Sequence, residues 1–190
     1  MLLLALACMA SFGGTRRRYG RDVKKEDVLD QQTRNAIYEL IRSNEGLHFR
    51  RICRALDKKM GVIQYHTSVL EKNGLIRAIR DGRYKCFFVQ EQASNVSPED
   101  RPSEEEKALR EIIIASLRRK TPKVLISHLA KEKSASHQTL STVAEVSPQA
   151  ITFHCSRLQQ FNIITSQKEG RQKFYMLSES ARKITDKLLR

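Results

Sequence analysis

Among 190 residues, His66, His154 and the Cys155 beside the second histidine are of types that support metal ligation or nucleophilic attack. Consecutive side chains on a helix point about 100° apart, so His154 and Cys155 do not converge on a metal or form a base–nucleophile pair. Both histidines fall beside an inward helical stripe and read as packing groups. The four cysteines, Cys8, Cys53, Cys86 and Cys155, form no CxxC or CxC pair, which excludes a zinc ribbon and a thioredoxin-type redox motif. That usage fits a reduced, intracellular chain. Neither GxGxxG nor GxxxxGK[ST] occurs. No catalytic residue, cofactor or metal ligand is expected; the chain reads as a binder, not an enzyme.

Charge says what is bound. Lysine and arginine total 35 against 21 acids, giving +14 and a pI near 9.9. Such an excess fits a polyanionic partner, nucleic acid or an anionic membrane surface. Apolar residues make up 40% of the chain, enough for two small cores, and no Trp is present to line an aromatic cofactor pocket.

The elements that carry these residues are duplicated. Residues 63–89 align with 151–177 at a constant offset of 88 without a gap, and eight of the 27 positions are identical. Chance gives about two. Ile63-Gln64-Tyr65-His66 meets Ile151-Thr152-Phe153-His154, and Asp81-Gly82-Arg83-Tyr84-Lys85 meets Glu169-Gly170-Arg171-Gln172-Lys173. In the first copy the apolar spacing predicts helices over Thr33–Ser43, Phe49–Leu56 and Met60–Asn73, with Gly46 suited to a left-handed cap or turn. Alternating runs Leu75–Arg80 and Arg83–Val89 flank Asp81-Gly82, a strong hairpin signal. In the second, Ser103 and Glu106 form a capping box for a helix to about Arg119, with Leu109, Ile112, Ile113 and Leu117 inward. Helices follow over about Lys123–Lys131, Gln138–Val146 and Gln149–Phe161, then a hairpin Ile163–Leu177 and a last amphipathic helix from Ser178 to Arg190. Residues 92–102 are polar, contain Pro98 and Pro102, and read as a linker.

Gly46-Leu47-His48-Phe49-Arg50-Arg51-Ile52, Val62-Ile63-Gln64-Tyr65-His66, Leu70-Glu71-Lys72-Asn73-Gly74-Leu75-Ile76 and Asp81-Gly82-Arg83 together resemble the ArsR/MarR-type winged-helix regulators. More narrowly, the chain is similar to mostly archaeal, tandem winged-helix predicted transcriptional regulators. The resemblance covers residues 30–90 well and 104–178 more loosely. It implies a mainly α fold with small β-hairpin wings (α+β), two winged helix-turn-helix domains in tandem. The divisions are 1–26, an apolar then basic segment; 27–91, the first domain; 92–102, the linker; and 103–190, the second domain with a C-terminal helix. Thr67 and Cys155 depart from the family's usual leucine, and Asn162 from its helix-ending glycine, which sets the second unit apart in what it binds.

In a helix-turn-helix the third helix enters the major groove. Removing inward positions leaves Lys59, Met60, Gln64, Tyr65 and Ser68 for the first unit, and Ser147, Gln149, Thr152, Phe153, Ser156 and Arg157 for the second. Gln64 suits adenine, and Tyr65 or Ser68 suits bases or phosphates. The wings add Arg80, Arg83 and Lys85, then Lys168, Arg171 and Lys173, and the short helix adds a face of Arg50, Arg51 and Arg54. These cations suit phosphate or the adjacent minor groove. The expectation is a sequence-specific double-stranded DNA-binding transcriptional regulator, cytoplasmic and nucleoid-associated, with no effector named by the sequence. The alternatives are a tandem winged-helix protein–protein adaptor and a non-specific chromatin protein. Homodimerisation through the terminal helix competes with its packing on its own domain. Residues 1–12 are apolar and precede Arg16, Arg17, Arg18, Arg21, Lys24 and Lys25. Twelve residues cover only about 18 Å as helix, too short for a span, so a frayed terminus or a mis-assigned start competes with a membrane-anchor stub involving residues 1–25.

Overall fold

A computed structural model describes residues 31–81, 84–90 and 102–189. The expectations for residues 1–26, Arg83 and nearly all of 92–102 lie outside them. Helix α1, Gln32–Ser43, buries Ile37 and Ile41. Gly46, at φ +75, then turns the chain into a two-residue strand β1, Leu47–His48. Helix α2, Phe49–Ala55, inserts Ile52 into the core, and α3, Met60–Lys72, buries Ile63, His66, Thr67 and Leu70. Gly74 at φ +65 reverses the chain into the hairpin β2, Ile76–Asp81, and β3, Tyr84–Val89.

The order then recurs as α5 (Lys120–Glu132), β4 (Ser134–Ser136), α6 (His137–Ala144), α7 (Pro148–Gln160), β5 (Ile164–Glu169) and β6 (Gln172–Leu177). The 88-residue offset therefore governs the whole set of elements, beyond the 27 positions where side chains repeat. It even holds at strained backbone positions. Asp57 (φ 48) corresponds to Glu145 (φ 54), and Gly74 to Asn162 (φ 54). Asparagine is among the residues that tolerate this left-handed region, so it can replace the helix-ending glycine.

Helix α5 begins three residues before the expected Lys123, with Pro122 buried in its first turn. Prolines fit there because the first-turn amides lack intrahelical acceptors. Two edge strands were not expected. β1 pairs antiparallel with β3 (Leu47↔Phe87, His48↔Cys86) and β4 with β6 (Ala135↔Tyr175), so each hairpin is part of a three-stranded sheet.

Two helices lie outside the repeat. Helix α4, Glu104–Leu117, is capped by Ser103, whose hydroxyl accepts from the Glu106 amide. Its expected stripe, Leu109, Ile112, Ile113 and Leu117, joins the core of the second copy. A second face, unforeseen, carries Ile114 and Ala115 onto Cys86 and Phe88 of the first sheet. The final helix α8, Glu179–Leu188, packs back on α4 and α5, burying Ala181, Ile184 and Thr185. Its Arg182 donates to the carbonyls of Leu129, Ala130 and Lys133 near the end of α5. Among the described residues, no helix is long and apolar enough to cross a membrane.

Candidate nucleic-acid interface

Helix α3 owes its exposed face to the burial of the opposite one. With Ile63, His66, Thr67 and Leu70 turned inward, Lys59, Met60, Gln64 and Tyr65 stand in solvent, and Ser68 is half-buried. Thr67 is accommodated in the core because its hydroxyl donates to the Ile63 carbonyl at 2.8 Å. Tyr65 remains 63% exposed and meets the His66 ring edge-on at 5.0 Å. Burial, helped by the nearby Arg34 charge, holds the His66 pKa below its ordinary value. A neutral imidazole behind Tyr65 is therefore a support for that ring.

Helix α7 repeats the arrangement with different chemistry. Phe153 is 60% exposed and meets His154 edge-on, as Tyr65 meets His66. Ser147 caps the helix through the Ala150 amide, and Gln149, Thr152 and Ser156 face solvent. The Thr152 hydroxyl donates to the Pro148 carbonyl and lies 3.1 Å from His137 Nε2, which anchors α7 to α6. Arg157 lies over the Phe161 ring at 5.8 Å. Burial is the main cause lowering the His154 pKa, with Arg119 and Arg157 adding to it. Burial pushes the Cys155 thiol up to about 11. A thiol held protonated this way is a packing group and a poor nucleophile.

The wings place like charges opposite one another: Arg80 faces Lys85 across the first hairpin, and Lys168 faces Lys173 across the second. Such pairs repel unless an anion intervenes. In the first unit one does, because Lys85 Nζ lies 2.8 Å from the Glu71 carboxylate on α3. The residue at Glu71's repeat position is Gln159, whose amide donates to the Ser166 hydroxyl, so Lys173 has no carboxylate from that position. The ring contact is common to both wings, Lys85 lying 5.1 Å from the Phe87 ring centre and Lys173 5.1 Å from that of Tyr175. Lys168, Arg171 and Lys173 are all exposed. The sequence did not reveal this difference between the wings, although Glu71 and Gln159 are its signal once the strand register is known.

Arg50 and Arg51 are exposed on α2, but Arg51 also lines a cleft shared with Arg118, Arg119, Lys120 and Lys123 of the second half. Those four residues were missed as functional candidates. Among the described residues, no group of three or more His, Cys, Asp or Glu is placed to hold a metal ion.

Residues 31–97 match the sequence model of a family described as an N-terminal HTH domain. Over 157 residues, 82% of this chain, the sequence is 25% identical to the HTH-type transcriptional regulator MJ1398 of Methanocaldococcus jannaschii, and the match takes in 36% of that protein. The chain thus spans about a third of the length of this curated relative. Among solved structures, HlyU from Vibrio cholerae aligns with 46% of this chain and 94% of its own, at 23% identity and a TM-score of 0.40. NolR from Sinorhizobium fredii aligns with 49% of this chain and 90% of its own, at 21% identity and a TM-score of 0.37. By sequence, then, residues 31–97 are similar to a helix-turn-helix domain.

Proposed function

We propose that the chain is a sequence-specific, double-stranded DNA-binding transcriptional regulator of ArsR/MarR-like type. In this reading residues 27–91 and 103–190 are two winged helix-turn-helix domains joined by 92–102, and neither is an enzyme. One observation carries it. The outward face of the third helix and the cations of the hairpin recur together at one offset, 88 residues apart, on a fold whose third helix suits the major groove. Gln64 on α3 and Gln149 on α7 can each bond adenine bidentately, and the exposed rings of Tyr65 and Phe153 suit thymine methyls. Ser68, Thr152, Ser156 and Arg157 flank those contacts. Lys59, Arg50, Arg51, Arg80, Arg83, Lys85, Lys168, Arg171 and Lys173 supply the phosphate contacts that fix register. The similarity to a protein named as an HTH-type transcriptional regulator supports the same reading.

The test is selection of duplexes from a random pool by the purified full chain, together with genomic footprinting. Recovery of one motif and discrete genomic sites is the expected outcome. Uniform coverage without a motif identifies a packaging protein, and no retention of duplex at low salt identifies a protein–protein adaptor; either sinks the proposal.

A further inference from the structure

The two halves meet along a cleft of about 320 Å³, and its lining is unusual in charge. From the first half come Gly46, Leu47, His48 and Arg51; from the α4–α5 junction come Leu117, Arg118, Arg119, Lys120 and Lys123. Five of these nine residues are permanent cations and none is an acid. The nearest acid in sequence, Glu45, does not neutralise the cleft. Its carboxylate is held by Arg110 at 3.0 Å, and its carbonyl accepts from Arg118 Nε at 3.1 Å. Glu45 therefore positions Arg118 at the cleft while its own charge is engaged elsewhere.

Gathering these cations around one recess concentrates positive potential there and sets them in mutual repulsion, because the concave walls focus the field. Arg110, Glu45 and the Ile114 and Ala115 packing hold the walls together against that repulsion. We propose that this cleft is a binding site for a small polyanion, a ligand bearing phosphate or carboxylate groups, that bridges the two halves. Its volume lies at the lower end of the range for small-molecule sites. Guanidinium groups at Arg51 and Arg118 suit oxyanions through their N–H donors, and Lys120 and Lys123 add point charges at the rim. The site lies apart from the wings and the outward faces of α3 and α7 and shares only Arg51 with the proposed DNA contacts, so its test is made on Lys120 and Lys123, which are not among them.

Arg119 gives the cleft a second consequence. Its charge also acts on His154 of α7. A bound anion offsets that charge, so occupancy raises the His154 pKa. His66 is depressed chiefly by burial, with Arg34 in place of Arg119 as the added charge, and serves as an internal control.

The probe is inorganic pyrophosphate, titrated into the full chain at constant ionic strength. Binding is followed by thermal shift, and the two histidines by NMR. Expected is a saturable rise in Tm, together with an increase in the His154 pKa and none in that of His66. The exposed pair K120Q/K123Q should weaken pyrophosphate binding about tenfold. The wing pair K168Q/K173Q should leave it within about twofold. An unsaturable response, or equal binding by wild type and K120Q/K123Q, overturns the proposal. If K120Q/K123Q without pyrophosphate loses as much duplex affinity as K168Q/K173Q, the cleft is a DNA-backbone contact, and the proposal is again overturned.

Discussion

Arg77 and Glu111 form a two-point ion pair across the junction of the two halves, with Nε to Oε1 at 2.7 Å and Nη2 to Oε2 at 2.6 Å. Arg77 lies on β2 and Glu111 on α4, beside the contact of Ile114 and Ala115 with Cys86 and Phe88. Burial pushes the Glu111 carboxyl above its ordinary pKa, while the Arg77 guanidinium pulls it down. Removing Arg77 leaves a carboxylate with its side chain only 10% exposed. R77M is therefore expected to lose about 2–3 kcal/mol in urea unfolding, less than a fully buried pair because Arg77 is partly solvated. Replacing both, R77M/E111L, should recover most of that loss. A double variant as unstable as R77M would mean that the pair itself, and not the orphaned carboxylate, sets the cost.

Gly46 is constrained twice. Its φ of +75 disfavours any side chain, and an added Cβ would stand 2.9 Å from Ile114 Cγ2 and 3.3 Å from Phe88 Cζ. Gly170, on the second hairpin, has a φ of +60 but open space around it. G170A should cost only the backbone term, about 1–2 kcal/mol. G46A should cost clearly more, because Ile114 or Phe88 must shift. Chemical unfolding of both variants separates strain from steric conflict, and equal losses would refute the contact.

The sequence made some of this visible and hid the rest for definable reasons. Helices α1 and α3 and the hairpins were legible because Ile37, Ile41, Ile63 and Leu70 recur at helical spacing and Asp81-Gly82 marks a turn. Strands β1 and β4 were not, since two or three residues are too few to display alternation. The second face of α4 was hidden because Glu111, Ile114, Ala115 and Arg118 mix charge with apolar groups, so only the uniform stripe stood out. The cleft itself was invisible for another reason. Arg51 and Lys120 lie far apart in sequence, and only the packing of α4 on the first sheet brings them to one recess.

Acid should weaken the fold through its paired histidines. His66 and His154 have pKa values lowered by burial, with Arg34 adding to the first and Arg119 and Arg157 to the second. Below a pH of about 6.5 the unfolded chain protonates its histidines while these two resist. The unfolded state then binds more protons, and stability falls as pH drops through that range. Glu111, with its raised pKa, acts in the opposite sense at lower pH, where the folded state takes up its proton first. Tm measured from pH 7.5 to 5.5 should therefore decline, and H66Q/H154Q should flatten the decline. A slope unchanged in that double variant would assign the acid sensitivity to other groups.

The two wings should contribute unequally to duplex binding, although their cations occupy matching positions. Lys85 is engaged by Glu71 at 2.8 Å, and moving it to a phosphate means giving up that partner. Lys173 has Gln159 in place of an acid and loses little by turning outward. Each phosphate contact contributes about 0.9 to the slope of log affinity against log salt. K173Q should lower that slope by nearly this amount, and K85Q by much less. E71Q provides the converse test, because it frees Lys85 without adding a cation. It should strengthen binding at low salt and steepen the slope, bringing the first wing toward the behaviour of the second. If K85Q and K173Q flatten the slope equally, Glu71 does not hold Lys85 back from the duplex, and the difference between the wings is confined to the free protein.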